Sequence, residues 1–218
     1  IRRMKNRGVL IRHLGAIEAL GATQVLCLDK TGTITANKMT IVQLYAGDAV
    51  ITLNPLQKPK ELDQQALFIH ELSALTLAMA LCNESEVIQK GRSTILTGSP
   101  TENALAGFAM ESGIDLVKLK EDFVLQKIYH RSENRNFMVA LHSDPELELV
   151  ITVKGSPSEV LDLCSHYMIN GQIEVLSDEK RRLLQVENER MAGDALRVLG
   201  AAICIDAGKL DIGDLEVV

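Results

Sequence analysis

The apolar run Val25-Leu26-Cys27-Leu28 ends on Asp29, and the chain continues without interruption as Lys30-Thr31-Gly32-Thr33-Ile34-Thr35. No other stretch constrains the fold as strongly. A buried parallel strand that hands a carboxylate to a hydroxyl-rich turn has this pattern. Ligands in open α/β sheets sit outside the carboxyl ends of the strands, so Asp29 is placed as a nucleophile would be. Lys30 brings positive charge, Gly32 permits close backbone approach, and Thr31, Thr33 and Thr35 offer hydroxyls to phosphate oxygens. An acidic residue closing an ordinary strand is the better reading for Asp-Gly or Asp-Thr alone, but not for the unbroken run.

Before this run, Arg2, Arg3, Lys5, Arg7 and Arg12 make a basic start, read either as a solvated helix face or as a segment drawn to anionic lipid. Leu14, Ile17 and Leu20 recur at helical spacing before Gly21, so helix, strand 23–29 and nucleophile follow in succession. That is one edge of a Rossmann-like half. After Thr35 the character changes. Thr40 to Tyr45 and Ala49 to Leu53 flank Gly47-Asp48 as a hairpin, Asn54 to Lys60 is a loop, and Glu61 to Cys82 is the longest helix, apolar on most sides. Ser99-Pro100-Thr101-Glu102 has the form of a capping box opening a helix to about Ser112, stopped by Gly113. Apolar strands at Phe123–Ile128, Phe137–Leu141 and Leu147–Val153 predict an antiparallel sheet. Ser156-Pro157-Ser158-Glu159 repeats the cap chemistry, Asn170-Gly171 signals a hairpin, Ser177 caps a charged helix to Gly193, and Ala195 to Ile205 reads as a last buried strand. The tail from Asp206 forms no evident element.

Composition bounds the function. The chain has 218 residues, enough for one generous domain or two modest ones, and 46% hydrophobic with 24% charged residues is near the globular average. Aromatics are only 3%, so the core must be aliphatic. A formal charge of -6 argues against broad nucleic-acid binding, which needs a basic face, although a few converging cations could still hold a nucleotide. Cys27, Cys82, Cys164 and Cys204 are widely spaced with no C-x-x-C pair. Neither a metal centre nor a disulfide framework is expected from them, and a reducing cytosolic setting fits. No segment approaches the ~20 apolar residues of a membrane-spanning helix. The chain opens mid-pattern without Met, as an excised piece of a longer protein would.

The run from Asp29 to Thr35 resembles the phosphorylation motif of the P-type ATPases, pumps whose aspartate is phosphorylated by ATP. Four further segments resemble that family. Thr101-Glu102-Asn103-Ala104-Leu105 is similar to its Thr-Glu-x-Ala-Leu segment, whose Glu accepts from the adenine amino group; as sequence physics alone, Glu102 is a cap residue. Lys154-Gly155-Ser156-Pro157 is similar to its Lys-Gly-Ala-Pro-Glu signature, with Glu159 one residue late. A strand ending in a cation, then Gly, then a helix start suits a polar ligand, against the bland alternative of an exposed Lys. Tyr129-His130-Arg131-Ser132-Glu133-Asn134-Arg135 is similar to the Phe-x-Ser-x-x-Lys segment. The register through Ser132 puts His130 at the adenine-stacking position and Arg135 at the phosphate-neutralising one. Tyr129, one residue away, is an alternative platform, and a charged hairpin turn is the plain reading. Ala195-Leu196-Arg197-Val198-Leu199 is similar to the Gly/Ala-Leu-Arg-x-Leu strand. An Arg in an apolar strand should meet a carboxylate or the nucleotide phosphates.

The resemblance implies a mixed fold, α+β with an α/β part. An antiparallel sheet flanked by helices would form the nucleotide-binding domain, residues 40–205, inserted in an incomplete Rossmann-like phosphorylation domain of haloacid dehalogenase type. Residues 1–39 would hold the stalk end and the first segment of that domain, and residues 206–218 the return towards it. ATP would be held by Glu102, Tyr129 or His130, Arg135, Lys154, Gly155, Arg197 and Leu199. Asp29, with Lys30 and Thr31, would be the phosphorylated centre, and Asp29 and Thr31 would contribute to a Mg2+ site. Partners would be ATP, a transported cation and the family's own actuator and transmembrane domains, at the cytoplasmic face of a membrane, with no nucleic acid. Haloacid dehalogenase-type phosphatases usually carry an acid two residues after the nucleophile. Thr31 stands there instead, which favours a persistent phosphoenzyme and a pump. A phosphatase or phosphotransferase, or a nucleotide-binding module without catalysis, are the alternatives. The separate motifs resemble the calcium, magnesium or sodium-pump branch.

Overall fold

Asn170 and Gly171 have positive φ, 51° and 71°, and so do Gly47 and Asp48, at 57° and 62°. Two central residues with positive φ make the mirror-image turn that joins tightly twisted strands, so both hairpins form where the sequence places them. They are β1 (Gln43–Ala46) with β2 (Ala49–Thr52), and β8 (His166–Ile169) with β9 (Gln172–Val175). The computed structural model describes residues 2–13, 15–53, 69–90, 93–143 and 149–205. The chain divides after Lys38 into two compact units.

Among the described residues of the first unit are helices α1 (Arg2–Lys5) and α2 (Gly15–Gly21), followed by the Asp29 turn. The strand expected at residues 23–29 does not form: no described residue pairs with it. Val25, Leu26 and Leu28 are 77%, 67% and 55% exposed. A parallel strand is stabilised by neighbours on both sides and by covered faces, and the described residues supply neither.

The second unit is built from helices and antiparallel strands. Its centre is a four-stranded sheet in the order β10-β7-β6-β5, from β5 (Val124–Tyr129), β6 (Phe137–Ser143), β7 (Val150–Gly155) and β10 (Gly200–Ile205). Phe137 to His142 are all buried, because β6 is internal and covered on both faces. On one face Phe137, Val139, Leu141 and Ile151 pack with Val160 of α6 (Pro157–Leu163). On the other, Met138 and Ala140 pack with Cys82, just past α3 (Ile69–Leu81). Leu72 and Met79 of α3 also meet Leu44 of β1 and Leu105 and Phe108 of α4 (Pro100–Glu111), which explains its lack of a polar face. A hairpin of β3 (Glu86–Lys90) and β4 (Ser93–Thr97), helix α5 (Leu116–Asp122) and helix α7 (Asp178–Gly193) complete the unit. No described helix is long and apolar enough to cross a membrane.

Several expectations shift. The long helix is described from Ile69 only, and residues 54–68 and the tail 206–218 lie outside the described residues. Ser99 does cap α4, accepting from the Glu102 N–H at 3.2 Å, and α4 ends before Gly113, whose φ is 102°. Ser177 caps α7 in the same way. Ser156 makes no side-chain cap, and the Glu159 carboxylate, the expected partner in a capping box, accepts from Asn136 instead. The last strand begins at Gly200 rather than Ala195, because Ala195 takes a left-handed φ of 59° that closes α7 with a turn.

Candidate functional site

Lys154 is the penultimate residue of the internal strand β7, with its side chain only 6% exposed. A buried ammonium needs partners for its three donors, and three acceptors surround it. It donates to both carboxylate oxygens of Glu102, each at 2.7 Å, and to the Cys82 carbonyl at the end of α3. The Glu102 side chain, 16% exposed, also accepts from the Glu84 N–H at 3.2 Å. Glu102 therefore does not close a reciprocal capping box; its carboxylate turns away to the cation. Asn83 fastens the same corner by donating from Nδ2 to the Glu102 carbonyl at 3.0 Å, and Ser85 donates its hydroxyl to Asn103 Oδ1 at 2.9 Å. The exposed strand-end lysine considered above is excluded. Burial pushes the Cys82 thiol up to about 11, so it packs there as an apolar group.

The sheet divides the candidate adenine contacts between its two faces. Lys154 lies opposite Met138, on the side of Cys82, Ala140 and Ile128. Tyr129 pairs with Val139 and packs in the other layer, against the cluster of Phe137, Leu141 and Val160. Arg135 follows it there, its guanidinium 5.9 Å from the Tyr129 ring centre and 5.7 Å from that of Phe137. Tyr129 and Arg135 are thus not brought to the Lys154–Glu102 pair. His130 is. Its Nδ1 lies 3.5 Å from the Glu84 carboxylate, whose own N–H holds Glu102, and its ring is 64% exposed. Arg135 reaches back only to the His130 backbone, donating to its carbonyl at 2.7 Å.

The remaining positions serve the same corner unequally. A Cβ on Gly155 would fall 2.3 Å from the Phe137 Cα, so this glycine is required by the close approach of the β6 strand. Arg197 is exposed and ahead of β10, not embedded in it; its guanidinium donates to the Thr101 hydroxyl at 3.4 Å, next to Glu102. Leu199 precedes β10 and is partly exposed. Glu159 grips the turn between β5 and β6, accepting from the Asn136 N–H at 2.8 Å and from its side-chain amide at 2.6 Å.

In the other unit, the Asp29 carboxylate accepts from the Thr31 N–H at 3.4 Å. Gly32 takes φ 77°, and the Thr35 N–H closes a wide turn on the Lys30 carbonyl at 3.1 Å. The loop is open and hydroxyl-lined, with Asp29, Lys30 and Thr31 all exposed. Among the described residues no group of three or more His, Cys, Asp or Glu could by itself hold a metal ion.

The model of the P-type ATPase cytoplasmic domain N matches residues 71–210, which include Glu102, His130, Lys154 and Arg197. The chain belongs to this P-type ATPase family. Its mixed helices and antiparallel sheet agree with an N domain. A calcium-transporting ATPase of Listeria monocytogenes is 32% identical over 197 residues, covering 90% of this chain and 21% of its own length. One of Lactococcus lactis is 34% identical over 200 residues, covering 92% and 21%. The human calcium-transporting ATPase type 2C member 1 is 29% identical over 221 residues, covering 96% and 23%. The chain spans about a fifth of the length of these relatives. Sequence reasoning missed two residues of this N-domain corner, Glu84 and the carbonyl of Cys82. Their only signal was the polar Asn83-Glu84-Ser85 cluster closing a long apolar helix.

Proposed function

We propose that this chain is the ATP-binding and phosphorylation portion of a cation-transporting P-type ATPase, with residues 40–205 inserted in a haloacid dehalogenase-type phosphorylation domain begun by residues 1–39 and resumed by 206–218. The observation that carries the nucleotide part is the buried Lys154–Glu102 pair beside the exposed His130 ring, within the residues matched to domain N. A carboxylate fixed by an ammonium and an amide suits an adenine amino group, and an exposed ring suits the base face. Lys154 has its donors engaged, so it orients Glu102 and walls the site with its stem. Arg197, beside Thr101, is the cation placed for phosphate oxygens.

In the reaction, an Asp29 carboxylate oxygen attacks the γ-phosphorus of ATP. The new O–P bond forms as the bond to the β-phosphate oxygen breaks and ADP leaves. Lys30 offsets charge on the transferring group. Mg2+ would neutralise phosphate charge; the hard oxygens of Asp29 and Thr31 suit it and would hold it. Thr31, where a phosphatase has its acid–base residue, supplies no carboxylate to activate water against the aspartyl-phosphate, so the phosphoenzyme persists long enough to drive transport. Calcium is the proposed cargo, on the strength of the relatives' names.

Calorimetric titration of ATP into the 218-residue chain tests the nucleotide part. Glu102→Gln and His130→Ala should each weaken binding about three- to tenfold. Unchanged affinity in both variants would contradict the site.

A further inference from the structure

We infer that Glu84 is a positioning residue that fixes the His130 ring at the edge of the nucleotide site, an inference that rests on the ATP-binding reading above. Three observations converge on it. The Glu84 backbone N–H donates to the Glu102 carboxylate at 3.2 Å, so residue 84 is anchored to the buried pair. Its carboxylate reaches the other way, to His130 Nδ1 at 3.5 Å. The sheet sends both neighbouring candidates, Tyr129 and Arg135, to the opposite face, which leaves His130 as the only ring of that segment on the Glu102 side.

The backbone around both residues is fixed while the side chains stay exposed. Asn83 and Ser85 tie the 83–85 segment to α4 through the Glu102 carbonyl and Asn103 Oδ1. Arg135 donates to the His130 carbonyl, and the Ser132–Arg135 bridge closes the turn behind it. What remains free in His130 is the side-chain rotation, and Glu84 is the group that restrains it. With Nδ1 turned to the Glu84 carboxylate, the ring faces and Nε2 remain for a purine. A carboxylate that orients an imidazole through one nitrogen is a familiar way of fixing ring direction. An exposed pair of this kind adds little to fold stability, so its effect should appear in binding instead.

Glu84→Gln keeps the backbone donor to Glu102 and removes only the charge at His130. Two measurements on the full chain decide the matter. In nucleotide-free protein, the imidazole carbon resonances of His130 should shift in Glu84→Gln while urea unfolding stays superimposable on the wild type; an unshifted ring would overturn the inference regardless of nucleotide. In ATP titrations, Glu84→Gln should weaken binding about two- to fivefold, and should have no further effect in a His130→Ala background. An equal loss in both backgrounds, or none in either, would overturn the positioning role. Failure of the wild type to bind ATP, with the resonance shift intact, would instead reject the nucleotide reading while leaving the Glu84–His130 contact in place.

Discussion

At the scale of single residues, charge burial decides what each group can do. Lys154 and Glu102 satisfy one another, because a charge buried without a partner is costly. Removing one partner of such a pair typically costs about 3–5 kcal/mol, which is why conservative changes serve better as binding tests than Lys154→Ala. His142 is buried on β6 with Nδ1 unpartnered, and burial, aided by the Lys120 charge, pushes its pKa below the ordinary value. The unfolded chain therefore takes up a proton near pH ~6.5 while the folded chain resists it. The resulting stabilisation is complete above that pH and is lost as the pH falls towards the folded value. Urea unfolding at pH 7.5 and 5.5 should show a larger loss for the wild type than for His142→Gln; parallel losses would refute the assignment.

At the scale of elements, a serine placed just ahead of a helix gives different outcomes. Ser177 accepts from the Lys180 N–H at 3.2 Å and caps α7, whereas Ser156 makes no such bond. Ser177→Ala should lower unfolding stability by about 1 kcal/mol and Ser156→Ala by less than about 0.5 kcal/mol; equal effects in denaturant titrations would contradict the distinction. The contrast shows what was legible in the chain. The hairpins at Gly47-Asp48 and Asn170-Gly171, the caps at Ser99 and Ser177 and the three successive antiparallel strands depend on local chemistry, and each lies where that chemistry puts it. At Ser156 the cap is absent, and the Glu159 carboxylate is drawn to Asn136, 23 positions away, which local sequence does not show. Ala195 to Leu199 has a strand's composition, yet Ala195 turns the chain at φ 59° and leaves Arg197 exposed. Residues 23–29 have the composition of a buried strand but meet no partner among the described residues.

At the scale of the molecule, one compact unit carries the Asp29 turn and the other the Lys154–Glu102 corner. Motif spacing named Glu102, His130 and Lys154, but it could not reveal that Tyr129 and Arg135 face the other side. Strand alternation settles that only once the register of β5 against β6 is known. Glu84 escaped because its role comes from the packing of α3 against α4 and not from its neighbours in sequence. In the proposed function, ATP binds the second unit on the Glu102 side of its sheet, beside His130. Amide chemical-shift mapping of the 218-residue chain during an ATP titration tests it most directly. The largest shifts are expected at Glu84, Glu102, His130 and Lys154; shifts centred instead on Lys127, Tyr129 and Phe137, or no shifts at saturating ATP, would exclude a site on that face.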